Sequence, residues 1–202
     1  MTKAVDRPSE REFLRNVKAH EMTVLRDEGV DRHLRFKAPN TSNQYFDLIT
    51  WRGSLCFTGD MGTFVFSRIP DMFEFFRDEH ANGHLRINTV YWAEKLDAVD
   101  RRTGGHDKFS PDKFRKEVKR YARDAGASRA IQRAIAERVL TRADDGEQFA
   151  YAAACGFQED GFSLQDFYEI SCREYTYHFV WCCYAIVWAI KQYDNRKQVS
   201  ST

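Results

Sequence analysis

The apolar positions change period along the chain, and each change predicts a new kind of element. Phe13, Leu14, Val17, Val24 and Leu25 recur near helical spacing, which predicts a first helix over residues 10–28 stopped by Gly29. Residues 33–38 then put Leu34 and Phe36 on one side, as a strand does, and a polar loop opens at Pro39. Three short runs rich in aromatic and β-branched residues follow at 45–51, 54–58 and 63–67. They are separated by Arg52-Gly53 and Gly59-Asp60-Met61-Gly62. Glycine tolerates the positive φ of tight hairpin turns, so the block reads as an antiparallel meander. In its last strand Phe64 and Phe66 share one face while Thr63, Val65 and Ser67 share the other, which predicts one packed and one partly wet face.

Beyond Pro70 the period is helical. Met72, Phe73, Phe75 and Phe76 crowd a short helix ended by Asn82-Gly83, and a second is expected over 89–101 with Tyr91, Trp92, Leu96 and Val99 buried. Ser110-Pro111 supplies a capping hydroxyl followed by a first-turn proline, opening a helix to about Ala125. Further helices fit 128–142 and 148–155. Ser163 with Asp166 three residues on resembles a capping box, which would open a long terminal helix running to about Asp194. Its apolar residues, among them Phe179, Trp181, Ile186 and Ile190, surround more than one face, so it is expected to be central. The expected fold is one α+β domain over 1–202. A small antiparallel β-meander of about four strands near the N-terminus would pack on a mainly α-helical remainder with a long buried C-terminal helix.

Composition narrows the function. A chain of 202 residues, 43% hydrophobic and with net charge +1, can bury a sizeable core but has no overall field to attract nucleic acid or an acidic membrane. The five cysteines, Cys56, Cys155, Cys172, Cys182 and Cys183, form an odd set without the spacing of a secreted disulfide scaffold, so reduced buried thiols are expected. Arg7, Glu10, Arg11, Glu12 and Arg15 stand where a signal peptide would need an apolar stretch, which predicts a cytoplasmic protein. Residues 175–190 carry no formal charge with His178 neutral, yet fall short of the roughly 20 apolar residues of a spanning helix. A membrane is not an expected partner.

Residues 46–51 (Phe-Asp-Leu-Ile-Thr-Trp), residues 57–68 (Phe-Thr-Gly-Asp-Met-Gly-Thr-Phe-Val-Phe-Ser-Arg) and the tail at 177–190 resemble blocks found in uncharacterised phage and prophage accessory proteins. The resemblance implies a mobile-element origin and action inside a bacterial host cell. It carries over no catalytic residue. Small proteins of such elements often bind host proteins or nucleic acid, so it implies an interaction protein by analogy.

The motifs that could carry chemistry are weak. Asp78-Glu79-His80 with His84 offers carboxylates and two imidazoles four apart, but Asn82-Gly83 interrupts the helix a metal site would need. Adjacent Cys182 and Cys183 diverge by about 100° on a helix and cannot chelate together. Cys155, Cys172, His106 and His178 could be imagined as a nucleophile with its base, although no motif places them together. Asp144-Asp145-Gly146-Glu147 lacks the length of a calcium loop, Asp47 and Asp60 make no convincing acid–base pair, and no glycine pattern suits a nucleotide. No catalytic residue, metal or cofactor is therefore assigned.

The near-zero net charge hides an asymmetry. Residues 101–142 hold thirteen Lys or Arg against five Asp or Glu, whereas 143–170 hold seven acids and no base. On the helix after Ser110, Lys113, Lys116 and Arg120 form a ridge with Lys119 and Arg123 beside it. The plainest reading is that the basic helices face the acidic segment or solvent. The functional readings are an acidic protein partner or a phosphate backbone bound with strong salt dependence. A second candidate surface is the wet face of the sheet, where Tyr45 or Trp51 could anchor a partner beside Arg35, Lys37, Arg52 and Arg68. The expected function is thus non-enzymatic. A phage or prophage accessory protein would bind a host or phage macromolecule, with a protein as the expected partner, and so inhibit a host defence or regulatory complex. The alternative is nucleic-acid binding through 101–142.

Overall fold

A computed structural model describes residues 7–77 and 83–200. They fall into two compact units. Arg7–His106 together with the chain from Tyr175 onward form a sheet unit, and Asp107–Glu174 form a helical unit placed between those segments in the sequence.

The stretch expected to form one helix over 10–28 divides in two. The short helix α1 (Glu10–Asn16) is capped by the Ser9 hydroxyl, which accepts from the Glu12 N–H at 3.2 Å, and strand β1 (Glu21–Glu28) follows. Phe13 and Val17, four apart, are buried by the helix, whereas Met22 and Val24, two apart, pack on the core as strand residues do. Reading Phe13, Val17 and Val24 in one helical period merged two elements. The sheet continues through β2 (Asp31–Lys37), β3 (Phe46–Trp51), β4 (Ser54–Gly59) and β5 (Gly62–Ser67). After α2 (Met72–Phe76) and α3 (Thr89–Ala93), β6 (Leu96–Val99) pairs with β5. The sheet has the order β1-β2-β3-β4-β5-β6 with every neighbouring pair antiparallel, six strands where about four were expected. The two additions are β1 and β6, both from segments read as helix. At 96–99 the open edge of β5 decided the outcome, since Leu96 lies opposite Phe66 and Val99 opposite Phe64.

The two sheet faces differ as the alternation predicted. Leu34, Phe36, Phe46, Leu48, Leu55, Phe57, Phe64 and Phe66 are fully buried on the inner face. Ile49, Cys56, Thr63, Val65 and Ser67 are half-buried on the outer one. Gly59 permits the close approach of β3 to the end of β4, because a Cβ there would collide with the Tyr45 carbonyl and come within 2.7 Å of the Phe46 Cα.

The helical unit opens with β7 (Asp107–Phe109), followed by α4 (Pro111–Asp124) and α5 (Arg129–Arg138). Ser110 and Ser128 cap these helices, accepting from the N–H groups of Lys113 at 3.1 Å and Ile131 at 3.3 Å. The chain then tightens into a 3-10 turn over Leu140–Asp145 instead of continuing as helix to 142. Next come α6 (Glu147–Cys155), a two-residue-strand hairpin of β8 (Gln158–Glu159) with β9 (Phe162–Ser163), a second 3-10 turn over Gln165–Glu169, and β10 (Arg173–Tyr175) paired with β7. The unit has its own cluster of buried residues around Phe114, Val118, Ile135, Phe157, Leu164 and Phe167.

The terminal helix α7 (Tyr177–Ser200) starts later than the Ser163 motif predicted. Ser163 lies in β9, and Leu164 and Phe167 are drawn into the helical unit's core. Thr176 caps α7 instead: its hydroxyl accepts from the Phe179 N–H at 3.2 Å and donates to the Gly105 carbonyl at 2.9 Å. Phe179, Trp181, Cys182, Cys183, Ala185, Ile186 and Ala189 are fully buried, so the helix is as central to its unit as its apolar circumference predicted. Phe46 packs against Phe36, Phe57 and Trp181 with ring centres 4.9, 5.2 and 5.7 Å apart. Among the described residues no helix is long and apolar enough to cross a membrane.

Candidate functional site: the basic surface of α4 and α5

The structure divides the basic block in two. Arg115 pairs with Asp144 and contacts Asp112 at 3.4 Å, Arg138 meets Glu159 at 2.5 Å, and Arg142 meets Asp145 at 3.0 Å. Arg173 joins the same pattern, with Asp107 at 3.0 Å and Glu147 at 2.5 Å. These pairs engage the acids Asp144, Asp145 and Glu147. Part of the charge asymmetry is therefore an internal match.

Of the five α4 cations singled out in the sequence, two are engaged. Lys113 is half-buried and its Nζ donates to the Arg173 carbonyl at 2.9 Å. Arg120 lies 2.6 Å from the Glu117 carboxylate, in ionic contact without hydrogen-bond alignment. Lys116, Lys119 and Arg123 are exposed and make no ion pair among the described residues, and Arg129 and Arg133 on α5 share that condition. Asp124 and Glu137 are the exposed acids of these two helices.

Two of these cations, Lys119 and Arg123, line a groove between the helices, about 240 Å³ in volume. Lys119, Ala122 and Arg123 of α4 form one wall, Gln132, Ile135 and Ala136 of α5 the other, and Leu140 closes one end. The sequence reading missed Gln132, Ile135, Ala136 and Leu140. Small residues at helical spacing beside basic ones were the available signal, but only the folded arrangement of α4, α5 and the 3-10 turn that begins at Leu140 makes them neighbours.

The second candidate surface is the outer sheet face. Tyr45, Asp47, Ile49 and Trp51 alternate onto it, with Tyr45 half-buried and Trp51 44% exposed. The registers set Arg35 opposite Asp47 and Asp47 opposite Thr58. Arg35 donates to both Asp47 oxygens at 2.8 Å, and the His33 Nε2 lies 2.8 Å from the second of them. Burial pushes the Asp47 carboxyl up, but the hydrogen bonds from Arg35 and His33 outweigh it and hold the group below its ordinary range. A carboxylate so firmly ionised and bonded serves as a cross-strand tie, not as a proton donor. Asp60 accepts from the Gln44 N–H at 2.7 Å, joining the turn between β4 and β5 to the loop before β3.

Three of the five cysteines, Cys172, Cys182 and Cys183, are buried, and Cys56 and Cys155 are half-buried. Cys182 and Cys183 are fully buried, and burial drives both thiols well above their ordinary value. Burial also raises the Cys172 thiol, which lies 3.6 Å from the Ile170 carbonyl. Asp78, Glu79 and His80 lie outside the described residues, while His84 Nδ1 is 3.2 Å from the Glu10 carboxylate. No group of three possible metal ligands occurs among the described residues. No family model, curated protein or solved structure matches the chain.

Proposed function

We propose that this chain is a non-enzymatic accessory protein of phage or prophage type that holds an acidic macromolecular partner on the outer surface of α4 and α5. Its effect on a host defence or regulatory complex would follow from occupying that partner. The observation that supports the reading best is the selective engagement of charge. Arg115, Arg138 and Arg142 have carboxylate partners within the helical unit, while Lys116, Lys119, Arg123, Arg129 and Arg133 have none among the described residues. Unpaired cations concentrated on one pair of helices produce a local positive potential despite the neutral total.

The test is affinity capture from bacterial lysate, with and without nuclease, using the wild-type chain and the Lys116→Glu/Lys119→Glu/Arg123→Glu variant. A stoichiometric protein retained after nuclease and lost with the variant is the expected result. Loss of every partner on nuclease treatment would move the reading to nucleic acid, and equal capture by the variant would exclude this surface.

A further inference from the structure

Resting on that reading of α4 and α5, we infer that the groove between them seats an acidic amphipathic helix of a protein partner. One apolar side chain of that helix enters the groove while its carboxylates meet Lys119 and Arg123. The groove's lining is mixed: Ala122, Ile135, Ala136 and Leu140 supply its apolar part, and Lys119, Arg123 and Gln132 its polar part. At about 240 Å³ it is smaller than the roughly 300–1,000 Å³ pockets that enclose a whole small-molecule ligand, but it can take a large aliphatic or aromatic side chain.

Charge complementarity identifies the occupant. Lys119 and Arg123 stand one helical turn apart on the groove wall, Lys116 extends their row by another turn, and Arg129 lies one turn ahead of Gln132 and Arg133 on α5. An apolar lining beside unpaired cations fits a segment with apolar anchors three or four residues apart and acids between them. A phosphate backbone would use the cations but leave the apolar part of the lining uncovered, and a base would need an aromatic plane. None lines the groove, and Tyr121 of α4 packs edge-on against Phe167 with ring centres 6.1 Å apart.

The experiment selects displayed 16-residue peptides, randomised at every position, on the full chain. Enriched peptides are then titrated against wild type, Ala136→Trp, which fills the groove without changing charge, and Lys119→Glu/Arg123→Glu. Melting curves verify that each variant folds, and Gln132→Trp replaces Ala136→Trp if the latter does not. The expected result is acidic peptides with apolar residues at three- or four-residue spacing, whose affinity falls at least about tenfold in both variants. Acidic peptides without that spacing, or binding unchanged by the groove-filling variant, would overturn the inference. Labelled single-stranded and duplex DNA 20-mers form a separate arm. If they bind and respond to charge reversal but not to groove filling, the groove inference fails while α4 and α5 remain a binding surface. If neither peptides nor DNA bind in a charge-dependent way, both readings fail.

Discussion

The sheet unit and the helical unit use the same kinds of charged residue in different ways. In the sheet unit, charged side chains join segments remote in sequence. Arg32 donates to both Asp71 oxygens at 2.8 Å, Arg77 to both Asp194 oxygens at 2.9 Å, and Asp27 meets Lys197 and Tyr193 at 2.8 Å. In the helical unit, pairing stops partway. Arg115, Arg138 and Arg142 reach the acidic segment, but Lys116, Lys119 and Arg123, on another strip of the same surface, do not. The difference shows that a local charge excess is a poor guide to a binding surface until internal pairs are subtracted. What remains here is a smaller, more sharply placed set of cations beside a partly apolar groove.

The comparison can be broken most severely through the two cores. Phe46→Ala and Phe114→Ala each remove a fully buried ring and should cost about 3–5 kcal/mol. All four tryptophans, Trp51, Trp92, Trp181 and Trp188, belong to the sheet unit, so their fluorescence reports on that unit. Denaturant titration should show Phe46→Ala shifting the fluorescence transition strongly, and Phe114→Ala shifting far-ultraviolet circular dichroism more than fluorescence. Coincident shifts in both variants would mean that the chain unfolds as one cooperative system.

A smaller effect is expected at the cross-strand tie. Asp47→Asn weakens the hydrogen bonds from Arg35 and His33 and should cost about 2 kcal/mol at neutral pH, read as a lower unfolding midpoint. Because the folded Asp47 value lies below the ordinary 3.8, its contribution is present above that pH and fades as pH falls through the folded value. The gap between wild type and variant should therefore close in strong acid. Asp71 is lowered in the same sense, chiefly by the Arg32 hydrogen bond, so the Arg32–Asp71 tie should weaken over the same acid range.

The smallest stability effects should sharpen the contrast within the helical unit. Arg138→Ala removes the Glu159 pair and the stacking of its guanidinium 5.0 Å above Phe157, and should cost about 1 kcal/mol while sparing partner capture. Lys119→Glu should change stability by less than about 0.5 kcal/mol and yet weaken capture. Thermal melts and binding assays on the same two proteins would separate the engaged cation from the free one. Matching losses of capture in both would erase the proposed division of charge.

Much of the fold was legible because local rules and tertiary packing agreed. The strands near 45–67 carry period-two alternation bounded by glycine turns, and the Ser110-Pro111 start is borne out in α4. The readings that failed had a local signal that packing overrode. Phe13 and Val17 belong to a helix and Val24 to a strand, yet their spacing allowed one helical reading, and Ser163 carried a capping pattern in a segment drawn into another core. For the candidate site, the α4 cations were visible as residue types at helical spacing. Their states were not, since Lys113 is engaged by a carbonyl sixty residues away.

The sequence by itself determined the α+β class, the antiparallel meander, the apolar circumference of α7 and the opposed charge blocks, because each depends on neighbours within a few turns or strand positions. Only the tertiary structure decided that β1 and β6 extend the sheet, that Asp47 is tied to Arg35 and His33, and that some cations remain free beside a groove. Those outcomes depend on which distant segments meet. Strand pairing, ion pairing and the space left between two helices are properties of pairs of surfaces, and no single stretch of chain contains both members.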